Sequence, residues 1–106
     1  IKEDYGPDIQ SWICVSHEVE IKSSWEDEWP ASWSTVHIPY RKKKYLEGGR
    51  RIAFWVLNKD CSKAWHIDGK HMKEEYVRNI PNRRYPDGEN FYDIPVSLCQ
   101  LVEVAV

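Results

Sequence analysis

This 106-residue chain predicts an α/β or α+β domain in which a central mixed β-sheet is flanked by at least one helix. Three stretches carry that expectation. In Cys14–Lys22 the apolar Val15, Val19 and Ile21 alternate with polar neighbours closely enough to read as a strand, with Glu18, Glu20 and Lys22 on one face. Arg51–Leu57 is the most apolar run and reads as a central strand buried on both faces. Between them, Pro39 suits the first position of a helix and Gly48-Gly49 suits its end, so a basic helix is expected from Pro39 to about Glu47.

The remaining elements follow in chain order. Residues 1–7 are polar and close on Gly6-Pro7, a turn pair, and Asp8–Val15 is a first strand candidate. Ile9–Lys22 reads equally well as one long bent strand or as a tight hairpin. Trp25, Trp29 and Trp33 are spaced by four, as on one helix face, but Pro30 and the flanking serines favour a loop whose tryptophans fold back on the core. Asn58-Lys59-Asp60 supplies turn chemistry, and Ser62–Ile67 returns as a second strand, giving a hairpin with 51–57. A short helix is expected through Met72, Tyr76 and Val77, and a loop over Asn79–Asn90. Phe91–Pro95 reads as an anchored segment. Val96–Val106 closes the domain as a strand or short helix, with Leu98, Leu101, Val102 and Val104 facing the core.

The length suits one small domain spanning 1–106, burying roughly 60 to 65% of its unfolded surface. A hydrophobic content of 42% beside 30% charged residues describes a soluble globular protein, and no apolar run approaches the roughly 20 residues that cross a bilayer. No membrane role is expected. The chain opens on Ile1 and shows no secretory signal, so a preceding segment is expected to be missing. Cys14, Cys61 and Cys99 are odd in number and widely spaced, which suggests free thiols in a reducing, cytoplasmic compartment. The net charge of −2 argues against indiscriminate coating of nucleic acid, yet the cations gather in Arg41–Lys44, Arg50-Arg51 and Arg83-Arg84, as suits a local polyanion contact.

Pro7-Asp8, a spacer, and then Glu20-x-Lys22 resembles the active-site signature of the PD-(D/E)XK nuclease superfamily. The likeness covers roughly the first half of the chain. It implies a small restriction-endonuclease-like core lacking an N-terminal helix, and a metal-dependent endonuclease acting on DNA, with RNA the alternative substrate. Asp8 and Glu20 would hold Mg²⁺ or Mn²⁺, with the Ile21 carbonyl as an extra ligand, since a hard cation takes oxygen ligands from one or two carboxylates. Lys22 would act on the attacking water. Arg41, Lys42, Lys43 and Lys44 would meet the phosphate backbone, with Tyr45 beside them, and no Gln stands on that helix where many relatives have one. Glu18 is a candidate second ligand, or simply solvated. His37 is a candidate proton shuttle or phosphate contact, though a lone histidine is more often structural.

Other chemistry is poorly supported. Cys61, His66 and His71 recur every five residues, which matches no closed zinc site. No cysteine stands beside a histidine in a nucleophile arrangement, and there is no Gly-rich phosphate cradle. The rival readings are an ordinary amphipathic strand with a surface Glu–Lys pair, and a non-catalytic module that binds nucleic acid or, through its tryptophans, another protein. Cutting both strands of a duplex would take two active sites, so a homodimer is expected, joined through the 25–33 loop or the 96–106 end.

Overall fold

The computed structural model describes residues 15–49 and 51–104. Within these residues seven strands form two sheets: β1 (Val15–Ile21), β2 (Thr35–Pro39), β3 (Arg51–Leu57), β4 (Lys63–Asp68), β5 (Val77–Ile80), β6 (Glu89–Pro95) and β7 (Gln100–Glu103). The first sheet has the order β1-β3-β4-β7 and is mixed, because β1 runs parallel to β3 and the other pairs are antiparallel. The second has the order β2-β6-β5 and is antiparallel throughout. The expected mixed sheet and the β3–β4 hairpin are present, while the chain is richer in strand than expected.

The helical expectation is met only by short 3₁₀ turns among the described residues, the longest being Tyr40–Tyr45. Pro39 stands just before it, and Gly49 with φ +74° lies just beyond. A segment this short is far below the 12 to 15 residues at which a helix sustains itself, and four consecutive cations oppose one another along it. The expected helix near Met72–Tyr76 is likewise two 3₁₀ turns, Gly69–His71 and Glu74–Tyr76. The stretch 79–90 expected as a loop holds the end of β5 and the start of β6, the anchored segment Phe91–Pro95 is the rest of β6, and β2 answers to no expected element. None of the described helices is long and apolar enough to cross a membrane.

One core joins the sheets. Ile52, Phe54, Val56, Trp65 and Ile67 from the first meet Val36, Ile38, Tyr92 and Ile94 from the second, all at most 8% exposed. The 25–33 loop folds back as expected: Trp25 is 1% exposed, edge-on to Trp29 at 5.1 Å and stacked on Trp65 at 6.3 Å. The closing segment departs from expectation. Leu98 packs on the core, but Leu101 and Val104 are exposed, because β7 is an edge strand with nothing described beyond it.

Asn58, the one fully buried polar side chain of the described residues, ties these parts together. Its amide donates to the Glu26 carbonyl and to Ser62 Oγ, and its Oδ1 accepts from the Lys63 N–H at 2.9 Å. Asn58→Leu leaves those groups without partners in a closed site, so an equilibrium urea titration is expected to show a loss of at least about 1–3 kcal/mol.

Candidate active site

β1 carries its polarity inverted. Glu18, Glu20 and Lys22 share one face as expected, and that face is the half-buried one that looks into the molecule, since Glu18 pairs in register with core Phe54 and Glu20 with core Val56. The apolar Val19 and Ile21 look outward at 58% and 57% exposure. Strands normally alternate with the apolar side inward, so hydrophobic burial does not explain this orientation.

The inward face opens into a groove. Glu20 and Lys22 line it together with His37, Pro39, Asn82 and Phe91, and it continues past Glu20 to Arg41, Arg84 and Tyr85 and past Lys22 to Trp29 and Trp33. The second sheet forms its wall. Val36 and Ile38 turn one side of β2 to the core, while Thr35, His37 and Pro39 turn the other to the groove.

The individual side chains differ in how far they are already engaged. Glu20 makes no side-chain hydrogen bond or ion pair among the described residues. Glu18 is occupied by Lys42 Nζ at 3.3 Å, and both are largely buried, which separates the two carboxylates that the sequence left open. Lys22 Nζ lies 5.1 Å over the Trp33 ring, without a carboxylate partner among the described residues. The ladder phase matters too. The Lys22 N–H donates to the Leu57 carbonyl, so the alternate Ile21 carbonyl points away from β3. Asp8 lies outside the described residues. Among the described residues, no three His, Cys, Asp or Glu side chains converge, and Cys61, His66 and His71 are no exception.

The basic 3₁₀ segment does not present a single row of cations. Arg41 reaches the groove, held to Glu89 at 2.8 Å, whereas Lys42 turns inward to Glu18. Lys43 bonds the Tyr40 hydroxyl at 3.0 Å and lies 3.8 Å from Glu74, and Lys44 lies over the Tyr45 ring. Of the four, Arg41 lines the groove. Arg84, from one of the basic pairs expected to meet a polyanion, arrives from the 81–88 loop with Tyr85, a groove residue that no sequence pattern marked.

His37 Nε2 lies 2.9 Å from Asp93 Oδ1, its cross-strand register partner. Burial holds the imidazole below its ordinary pKa of 6.5, with Asp93 opposing that shift and Lys22 adding to it. Below about pH 6.5 the unfolded chain therefore takes up the proton more readily than the folded one, and this residue's contribution to stability falls as the solution is acidified. Thermal unfolding between about pH 7.5 and pH 5 is expected to show a shallower acid loss in His37→Gln than in wild type. Burial likewise pushes the Cys99 thiol up to about 12, which keeps it protonated; Cys61 and Cys99 are both free.

Fold and groove together define a small two-sheet domain whose strand β1 turns a carboxylate and an ammonium, two residues apart, into a cleft. Comparison with family models, with curated proteins and with solved structures found no match.

Proposed function

We propose that the domain is a metal-dependent nuclease that hydrolyses phosphodiester bonds of DNA in the groove beside β1. The observation that carries this reading is the inverted strand: an unengaged Glu20 and an ammonium-bearing Lys22 look into a cleft, while Val19 and Ile21 of the same strand look out. The donor set fits a hard divalent cation, because Glu20 offers a free carboxylate and the Ile21 carbonyl is turned away from β3, with Asp8 as the further carboxylate the reading requires. When bound, Mg²⁺ or Mn²⁺ supplies Lewis-acid stabilisation of the charge that develops on phosphate oxygens.

The chain's own residues supply the rest. Lys22, held over Trp33, orients the attacking water and offsets negative charge. Arg41, steadied by Glu89, and Arg84 hold flanking phosphates. His37 lines the same groove and is neutral near pH 7, so it is placed to accept a hydrogen bond or a proton from that water.

The test is calorimetric titration of Mg²⁺ and Mn²⁺ into wild type and Glu20→Ala, beside a cleavage panel of DNA and RNA substrates. Metal uptake that disappears with Glu20, together with metal-dependent scission of DNA, is the expected result. Absence of uptake by wild type overturns the reading and leaves Glu20 and Lys22 as a charged surface pair. Cleavage confined to RNA corrects the substrate.

A further inference from the structure

We infer that the groove accepts a single strand of DNA, with an unpaired base stacked on Tyr85 at one end and on Trp33 at the other, rather than an intact duplex. This rests on the nuclease reading for its placement of the scissile phosphate beside Glu20, but its own evidence is separate.

That evidence begins with the two ends of the groove. Each carries an aromatic ring paired with a cation: Arg84 lies 5.6 Å over the Tyr85 ring, and Lys22 lies 5.1 Å over Trp33. Tyr85 is 44% exposed and lines the groove on the Glu20 side. Its backbone is nevertheless well held. The Tyr85 N–H donates to Asn82 Oδ1 at 2.8 Å, and its carbonyl accepts from the N–H groups of Asn82 and Gly88. Gly88 has φ +106°, and a Cβ there would run into the Asn79 side chain, so the loop is built around a glycine that keeps it close to β5. An exposed ring on an anchored loop, facing a cleft beside a guanidinium, suits stacking of a base whose phosphate the cation takes.

The second part of the evidence is how few cations line the groove. Duplex binding commonly neutralises about 6 to 10 phosphates. Here Lys42, Lys43, Arg51 and Lys63 are each paired with carboxylates, at 3.3, 3.8, 3.0 and 3.0 Å, and Arg41 is shared with Glu89. The net charge is −2, and Glu26-Asp27-Glu28 border the tryptophan loop. The groove itself is lined by three cations, Lys22, Arg41 and Arg84, fewer than a duplex contact calls for, whereas two aromatic rings and three cations suffice for a short single strand. One groove then completes the reaction, with no second copy needed.

Binding is measured by fluorescence anisotropy with the full chain carrying Glu20→Gln, so that no substrate is consumed, using a labelled single-stranded oligodeoxynucleotide and the same sequence as a blunt duplex in Mg²⁺. The single strand is expected to bind more tightly. Tyr85→Ala is expected to weaken it by about 5- to 150-fold, the equivalent of one lost stacking contact, while Tyr85→Phe keeps the ring and the affinity. Arg84→Gln should lower the slope of log affinity against log salt by about 0.7, as for one single-strand phosphate contact. Equal or tighter binding of the duplex, or an unchanged affinity in Tyr85→Ala, overturns the inference. Tyr85-dependent binding of the single strand by a protein whose wild type cuts nothing sustains the inference and removes the nuclease reading. Wild type that cuts the blunt duplex faster than the single strand does the reverse.

Discussion

Glu20→Gln is expected to reduce metal-dependent DNA cleavage by at least about 100-fold while leaving the fold intact. The size follows from the loss of a direct oxygen ligand, since removing even an outer partner of a metal site commonly costs 10- to 100-fold. The intact fold follows from the structure: the Glu20 side chain has no hydrogen bond or ion pair among the described residues, so its amide replacement leaves no partner stranded. Substitutions of that kind usually stay within about 0.5 kcal/mol. Lys22→Ala should lose about 10²- to 10⁴-fold of the rate, the range for a positioned proton-transfer or charge-stabilising group, with metal uptake preserved. Glu18→Gln provides the contrast. It breaks the pair with half-buried Lys42 and is expected to lower thermal stability more than Glu20→Gln does, with metal uptake retained. Calorimetry, thermal unfolding and cleavage rates on the three variants separate these outcomes. Equal rates in Glu20→Gln and wild type would end the nuclease reading.

The largest stability effect is expected at Trp25. Its ring is 1% exposed, it packs against Trp29 and Trp65, and its Nε1–H donates to the Asp27 carbonyl at 3.0 Å. Trp25→Ala removes this ring from a closed site and should cost about 3–5 kcal/mol by urea denaturation. In a domain whose total stability is about 5–15 kcal/mol, that leaves a marginal protein. Trp65 is a second anchor; it is 8% exposed and its Nε1 has no hydrogen-bond partner. The burial of Trp25 and Trp65 also bears on the rival reading of a tryptophan-based interaction module, because these two rings are packed into the core and not offered to another protein. A Trp25→Ala variant with wild-type stability would show instead that the loop is dispensable to the core.

Several features were legible in the sequence. The alternation in 14–22 put Glu18, Glu20 and Lys22 on one strand face, and the apolar run 51–57 with Asn58-Lys59-Asp60 behind it read as the strand and turn of a hairpin. Local signals suffice there, because side-chain alternation and turn chemistry act between near neighbours. The second sheet was not legible. Val36-His37-Ile38 is too short to show a period, and it becomes a strand only by pairing with Asp93 and its neighbours more than 50 residues away. The segment after Pro39 carried helix-start and helix-stop residues, but its length held it to a 3₁₀ turn.

Sequence alone therefore determined which residue types stand two apart on β1, where the hairpin turns and which tryptophans are available to a core. Tertiary structure alone decided which way β1 faces, since a period of two is unchanged when the strand is turned over and only the packing of Phe54 and Val56 beside it selects the inner side. It also decided the partners of the charges. Pairing Lys42 with Glu18, holding Arg41 on Glu89 and leaving Glu20 unengaged at the groove depend on side chains brought together from distant parts of the chain, and no local pattern encodes such contacts.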